Sequence, residues 1–187
     1  RLAGSTWRNI WLVGDLHGCF ALLMSQLRQL KFDPWQDLLI SVGDLIDRGP
    51  QSVECLGLLR CRWFRAVRGN HEQMALDALA SGEMALWTMN GGGWYPTASQ
   101  EQKRLADLLF NRCRDVPLII ELRCQDTTHV IAHADYPASV YRWQLPVDEH
   151  QVLWGRQRLT DHLAGRHGEI AGADHFWFGH TPLKRRY

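Results

Sequence analysis

The sequence predicts an α/β fold, and two observations carry that prediction. Apolar runs at 10–13, 38–42 and 64–67 each stop at a polar cluster that contains a glycine. After each cluster, apolar residues return at the spacing of a helix. Three such units fall within about eighty residues, the pattern of parallel strands joined by crossover helices. In folds of this kind ligands collect beyond the carboxyl ends of the strands, so the polar clusters are where function is expected.

Taken in order, the run at 10–13 is a buried strand ended by Gly14-Asp15-Leu16-His17-Gly18. Leu22, Leu23, Leu27 and Leu30 then mark a helix, which Asp33-Pro34 breaks. The second strand, 38–42, delivers Gly43-Asp44-Leu45-Ile46-Asp47-Arg48-Gly49. Pro50 suits the first turn of a helix, and Val53, Leu56, Leu58 and Leu59 trace it. The third strand ends in Arg68-Gly69-Asn70-His71-Glu72, with a helix predicted over 73–80.

The middle of the chain changes character. Residues 90–96, Asn-Gly-Gly-Gly-Trp-Tyr-Pro, read as a flexible aromatic loop, either a flap over a site or a plain connection. A helix is expected over 101–113 and strands over 118–122 and 128–132, the second ending in His133-Ala134-Asp135. A short helix over 149–154 closes at Gly155-Arg156, and a last strand, 176–178, delivers Gly179-His180-Thr181. No linker, repeat or low-complexity segment divides the chain, so one domain over residues 1–187 is expected.

The charge balance is even, 21 basic against 20 acidic residues, so no global field draws nucleic acid or an anionic membrane. The run Lys184-Arg185-Arg186 reads as a solvated tail. Five cysteines, Cys19, Cys55, Cys61, Cys113 and Cys124, contain no CxxC pair, which fits a reducing compartment better than a disulfide framework. Cys19 lies beside a candidate metal site but reads as a small helix-face residue. No run approaches the ~20 apolar residues of a membrane span, and no signal peptide is visible. Cytoplasm is the expected compartment. The missing initiator Met suggests a trimmed start.

Five strands therefore end in polar sets: Asp15 with His17, Asp44 with Asp47 and Arg48, Asn70 with His71, His133, and His180. Each alone is weak, since a strand-end His is commonly structural and Asp caps turns. The recurrence is what carries weight. Burying such groups unpaired would cost several kcal/mol. Carboxylate, carboxamide and imidazole donors without thiolates suit Mn, Fe or Zn held with open positions, not a structural zinc site. Asp15, His17, Asp44, Asn70, His133 and His180 are too many ligands for one catalytic ion and about right for two, with Asp44 the natural bridge. Two ions ~3.5–4 Å apart can activate one bridging water and clamp an in-line phosphoryl displacement. Arg48 offers paired donors matched to phosphate oxygens.

The motifs GDLHG at Gly14, GDLIDRG at Gly43, GNHE at Gly69, HAD at His133 and GH at Gly179 resemble, in order and spacing, the phosphoprotein phosphatase family of metallophosphoesterases. HADYP and VLWGR are most similar to small bacterial serine/threonine phosphatases of the lambda type. The resemblance implies a central mixed β-sandwich flanked by helices (αββα) and two divalent ions, manganese first, with iron or zinc as alternatives. It implies that Asp15 and His17 bind one ion, that Asp44 bridges, and that Asn70, His133 and His180 bind the other. His71 would be the general acid, Asp47 would orient it and keep it protonated, and Arg48 and Arg156 would hold the phosphate. Asp135, Trp154 and His175 would either orient ligands or serve as ordinary core and turn residues.

The expected activity is hydrolysis of phosphoserine and phosphothreonine in phosphoproteins, with phosphotyrosine also within reach, by direct attack of the metal-activated water. No protein nucleophile is then needed. A serine alkoxide leaves poorly, so a positioned acid is worth roughly 10²–10⁴-fold. The competing branch, the dinucleoside tetraphosphate hydrolases, typically reads GDLVARG and GNHD, whereas this chain keeps Asp47 and Glu72. A non-catalytic phosphopeptide-binding module predicts decay of a ligand or of His71, and none is seen. Relatives usually continue beyond the equivalent of His180 through further strands, so the resemblance implies that C-terminal strands are missing here.

Overall fold

Every residue of the second predicted strand is buried, and its two faces serve two different cores. In the computed structural model, which describes residues 1–166 and 168–183, this strand is β3. The basic run Lys184-Arg185-Arg186 lies outside the described residues. In chain order the first half holds β1 (Leu2–Ala3), β2 (Asn9–Val13), α1 (Phe20–Gln29), β3 (Asp37–Ser41), α2 (Ser52–Gly57), β4 (Phe64–Ala66) and α3 (Asn70–Ser81). The second half holds α4 (Ala85–Trp87), α5 (Trp94–Thr97), α6 (Gln100–Cys113), β5 (Ile119–Cys124), β6 (Thr127–Ala132), α7 (Glu149–Trp154), α8 (Gln157–Leu163) and β7 (His175–Trp177).

Strands β2, β3 and β4 form a parallel sheet with β3 central, pairing Leu12 with Ile40 and Ser41 with Ala66. A second sheet runs β1-β5-β6-β7, antiparallel only between β5 and β6. Because side chains alternate along a strand, Leu38, Ile40 and Val42 face inward and pack with Ile120, Leu122 and Ile131 between the sheets. Leu39 packs on the opposite side with Leu23, Leu27, Leu56, Met74 and Phe110 of α1, α2, α3 and α6. Val130, on the outer face of the mixed sheet, is covered mainly by irregular chain through Tyr136, Tyr141 and Ile170. The result is two stacked sheets with helices on the parallel one, and all five strand-end clusters open at one rim.

Several elements differ from expectation. The helix expected over 73–80 starts three residues earlier, because Glu72 Oε2 accepts from Gly69 N at 2.9 Å and closes a capping interaction. Asn70 and His71 therefore sit in a helical first turn instead of a loop. Residues 90–96 are not a flexible loop. Thr88–Gly92 forms a π-type turn that runs into α5, held by an aromatic cluster of Trp87, Trp94, Tyr95 and Phe110. Strand β1 and helix α8, whose periodicity is too short to register in the sequence, were not expected. No described helix is long and apolar enough to cross a membrane.

Candidate active site

The loops after β2 and β3 are laced by backbone hydrogen bonds. Leu16 N and His17 N both donate to Asp44 O at 2.9 and 2.8 Å, and Gly18 N donates to Leu45 O at 2.9 Å. Glu72 completes the lacing from below. Its buried carboxylate accepts from Asp44 N (2.9 Å), Leu45 N (2.8 Å), Ile46 N (3.3 Å) and Gly69 N. Burial, and then the nearby charge of Asp44, push the Glu72 carboxyl up to about 7. This bracing holds a costly backbone. His17 (φ +42°), Asp44 (+49°), Asp47 (+73°), Arg48 (+66°) and His180 (+66°) are all left-handed. Each such residue costs on the order of 1–3 kcal/mol, and strain of this kind concentrates at functional sites.

The lacing aims a set of acceptors at one point. His17 Nδ1 donates to Ile46 O (3.0 Å) and His133 Nδ1 to Val42 O (2.8 Å), so in each neutral ring Nε2 is the lone pair. Those lone pairs lie 3.7 Å from Asp44 Oδ2 and 3.4 Å from Asp44 Oδ1. Asn70 Oδ1 lies 2.8 Å from His133 Nε2 and 3.0 Å from His180 Nδ1. Asp15 joins through both carboxylate oxygens, which accept from His180 N at 3.1 Å.

Protonation of the imidazoles does not relieve this crowding of acceptors. Burial lowers the proton affinity of His133, and burial followed by the neighbouring His133 and Arg156 charges pulls His180 down to about 4. Burial pushes Asp44 up to about 7, with the charge of Asp15 adding to it. Buried lone pairs facing a carboxylate are what a cation relieves, and the hard oxygen and imidazole donors suit a divalent one. Two trios, His17-Asp44-His71 and Asp44-His133-His180, each have ligand atoms within 4.8 Å of one another, and Asp44 belongs to both.

His71 differs from the other rings. Its Nδ1 lies 2.7 Å from Asp47 Oδ2. Burial works against its charged form, but the Asp47 hydrogen bond and the Asp44 charge outweigh it and raise its proton affinity. Arg48 spans the mouth, with Nη1 2.9 Å from His17 Nε2 and Nη2 3.2 Å from His71 Nε2. Arg156 reaches the same cluster, donating from Nε to His180 Nε2 at 3.2 Å. All ten candidate side chains named from the sequence are thus brought to one rim.

The sequence profile of the calcineurin-like phosphoesterases matches residues 8–184. The chain belongs to that family. Membership implies divalent metal ions, in keeping with the donor set around Asp44. The chain is 60% identical to serine/threonine-protein phosphatase 1 of Salmonella typhimurium, over all of this chain and 84% of that one. It is 47% identical to serine/threonine-protein phosphatase 2 of the same organism, over 93% of this chain and 80% of that one. A crystal structure provisionally described as a diadenosine tetraphosphatase superposes with a TM-score of 0.54 at 28% identity, covering 79% of this chain and 57% of that one.

Within this calcineurin-like site, three further residues find different fates. Asp135 is buried and accepts from Arg158 Nε at 3.0 Å and from Tyr136 N at 2.7 Å, fixing the start of α8 beside Arg156. Trp154 meets His180 edge-on at 6.1 Å between ring centres. His175 instead stacks on His129 on an exposed stretch of β7. Sequence reasoning used Glu72 only to separate branches and missed its four backbone contacts, though its position three residues after Gly69 is a capping signal. It also missed Trp87 and Trp94, whose indoles donate to Asp47 and carry no motif.

Proposed function

We propose that this chain is a protein phosphatase that hydrolyses phosphoserine and phosphothreonine monoesters, with phosphotyrosine open to the same chemistry. Asp15, His17 and Asp44 would hold one divalent ion, and Asp44, Asn70, His133 and His180 a second, manganese being the ion proposed. When bound, the ions would polarise the phosphoryl group and make a water acidic enough to attack near neutral pH.

The chain's own residues supply the remainder. Arg48 and Arg156 present guanidinium donors at the rim, where phosphate oxygens would be gripped and oriented. His71 holds a proton on Nδ1 against Asp47 and would deliver the Nε2 proton to the departing serine or threonine oxygen. A carboxylate on Nδ1 also accompanies ligand histidines. The contrast in proton affinity is what separates the roles: His71 is raised while His17, His133 and His180 are lowered. Because no protein nucleophile is required, solvent oxygen should enter phosphate directly. In oxygen-18 water a single turnover should put one label into phosphate, and labelled protein would indicate a phosphoenzyme.

The observation that carries the reading is the 2.7 Å His71–Asp47 pair beside an acceptor cluster centred on Asp44. The test is a manganese-reconstituted assay across phosphoserine, phosphothreonine and phosphotyrosine peptides and a dinucleoside tetraphosphate. Turnover of the phosphopeptides, with much slower cleavage of the dinucleotide, is expected. Preference for the dinucleotide, or no turnover of any ester, would overturn the proposal.

A further inference from the structure

Asp47 has no exposed surface, yet among the described residues its carboxylate has no cationic partner other than the histidine it serves. Burying a carboxylate so fully costs several kcal/mol unless donors occupy its lone pairs. Two indoles do so. Trp87 Nε1 reaches Oδ1 at 3.1 Å and Oδ2 at 3.0 Å, and Trp94 Nε1 donates to Oδ1 at 2.8 Å. With Oδ1 taken, Oδ2 is the oxygen presented to His71.

The segment between the two tryptophans is shaped for this contact. Gly91 is left-handed (φ +114°), and a Cβ there would lie 3.0 Å from Arg48 N and 3.3 Å from Asp47 Cβ. A Cβ on Gly92 would collide with the Trp87 indole at Nε1. Phe110 fixes the rings from behind, edge-on to Trp87 at 5.7 Å and stacked on Trp94 at 6.4 Å. The span from Trp87 to Trp94 is therefore a close-fitting collar around Asp47 and Arg48.

We propose that Trp87 and Trp94 are positioning residues that lock the Asp47 carboxylate, and through it the His71 ring, in the orientation needed to protonate the leaving oxygen. The proposal deepens the phosphatase reading above and rests on it for its kinetic consequence. Losing one indole donor frees the carboxylate to turn, which matters most where the leaving group needs a proton.

The main variant is Trp94→Phe, which keeps an aromatic ring at a half-buried position and removes only the donor. Trp87→Phe is the second, at a fully buried position. Circular dichroism and metal content establish that each is folded and loaded. The ratio of turnover on a phosphoserine peptide to turnover on p-nitrophenyl phosphate should drop roughly tenfold in Trp94→Phe. In parallel, proton NMR of the zinc-loaded proteins follows the downfield His71 Nδ1–H, identified by its loss in His71→Asn, and that resonance should shift in Trp94→Phe. Equal losses on both substrates, or an unmoved resonance, would overturn the brace. If the parent protein turns over neither ester, the phosphatase reading fails by itself, and the resonance alone decides: a shift upholds the brace and no shift rejects it.

Discussion

Two buried aspartates mark the two ends of the central strand, and they behave in opposite ways. Asp37 begins β3 and Asp44 lies just beyond its end, 1% and 2% exposed. Asp37 is fully answered. Arg8 reaches it with two donors at 2.9 and 2.8 Å, Asn9 Nδ2 adds a third at 3.0 Å and Asp33 N a fourth at 2.9 Å. The hydrogen bonds from Arg8 chiefly hold its carboxyl down near about 2. Among the described residues Asp44 accepts one backbone donor, His71 N at 3.1 Å, and the His17 and His133 lone pairs and Asp15 lie around it; burial, against the opposing charge of His71, pushes it up to about 7. The same residue type on one strand is a staple at one end and a cation-seeking group at the other. What differs is how deeply each carboxylate is removed from water, together with the balance of donors and acceptors around it.

The sharpest way to break that contrast is Asp44→Asn. Turnover should fall by roughly a thousandfold or more if Asp44 joins the two ions. The metal-stripped variant should nonetheless be more stable than the stripped parent, because a neutral amide would replace a buried carboxylate that lies beside Asp15 and the His133 acceptor. A gain near 1 kcal/mol would raise the melting temperature by about 2–4 °C. Calorimetry on both stripped proteins checks this, and a lower melting temperature in the variant would mean that the acceptors are not in conflict.

His71→Asn comes next. It should lose roughly 10²–10⁴-fold on phosphoserine peptide and far less on p-nitrophenyl phosphate, whose leaving group hardly needs a proton. Equal losses on the two would remove His71 as the acid.

Glu72→Gln probes the backbone beneath the site. An amide has one acceptor oxygen where the carboxylate serves four N–H groups, so a loss of about 2 kcal/mol is expected in urea unfolding. An unchanged midpoint would show that the lacing holds without it.

The smallest effect on turnover should come from Asp37→Asn, within about twofold of the parent, since Asp37 lies at the far end of the sheet. Its effect belongs to acid stability. A native carboxyl held below its unfolded value near ~3.9 stabilises the fold above that pH, and the contribution is lost as pH falls toward 2. Melting curves between pH 5 and 2 should therefore be flatter for Asp37→Asn than for the parent. A parallel pair of curves would show that the Arg8 pairing adds nothing to acid stability.

The contrast also shows which parts of the site can be read from a sequence. Asp15, His17, Asp44, Asn70, His133 and His180 were legible because each follows an apolar run, and the carboxyl ends of β2, β3 and β4 and of the parallel pair β6 and β7 open at one rim. The start of α3 was misplaced because Asn70 and His71 look like loop residues until Glu72 is seen to cap them. Trp87, Trp94 and Gly91 were illegible for a different reason. They reach Asp47 across forty or more residues from a turn whose composition reads as flexible, and only packing against Phe110 makes it rigid. His175, read from the sequence as either a ligand-orienting group or an ordinary core or turn residue, instead opens β7 and stacks on His129 at an exposed position.

The central claim, that the acceptor cluster around Asp44 is a shared seat for two cations, is tested most directly by manganese titration of the metal-stripped protein in a calorimeter. Two ions per chain are predicted for the parent, with tight binding lost at both positions in Asp44→Asn. A single ion in the parent, or two ions retained undiminished in the variant, would contradict it.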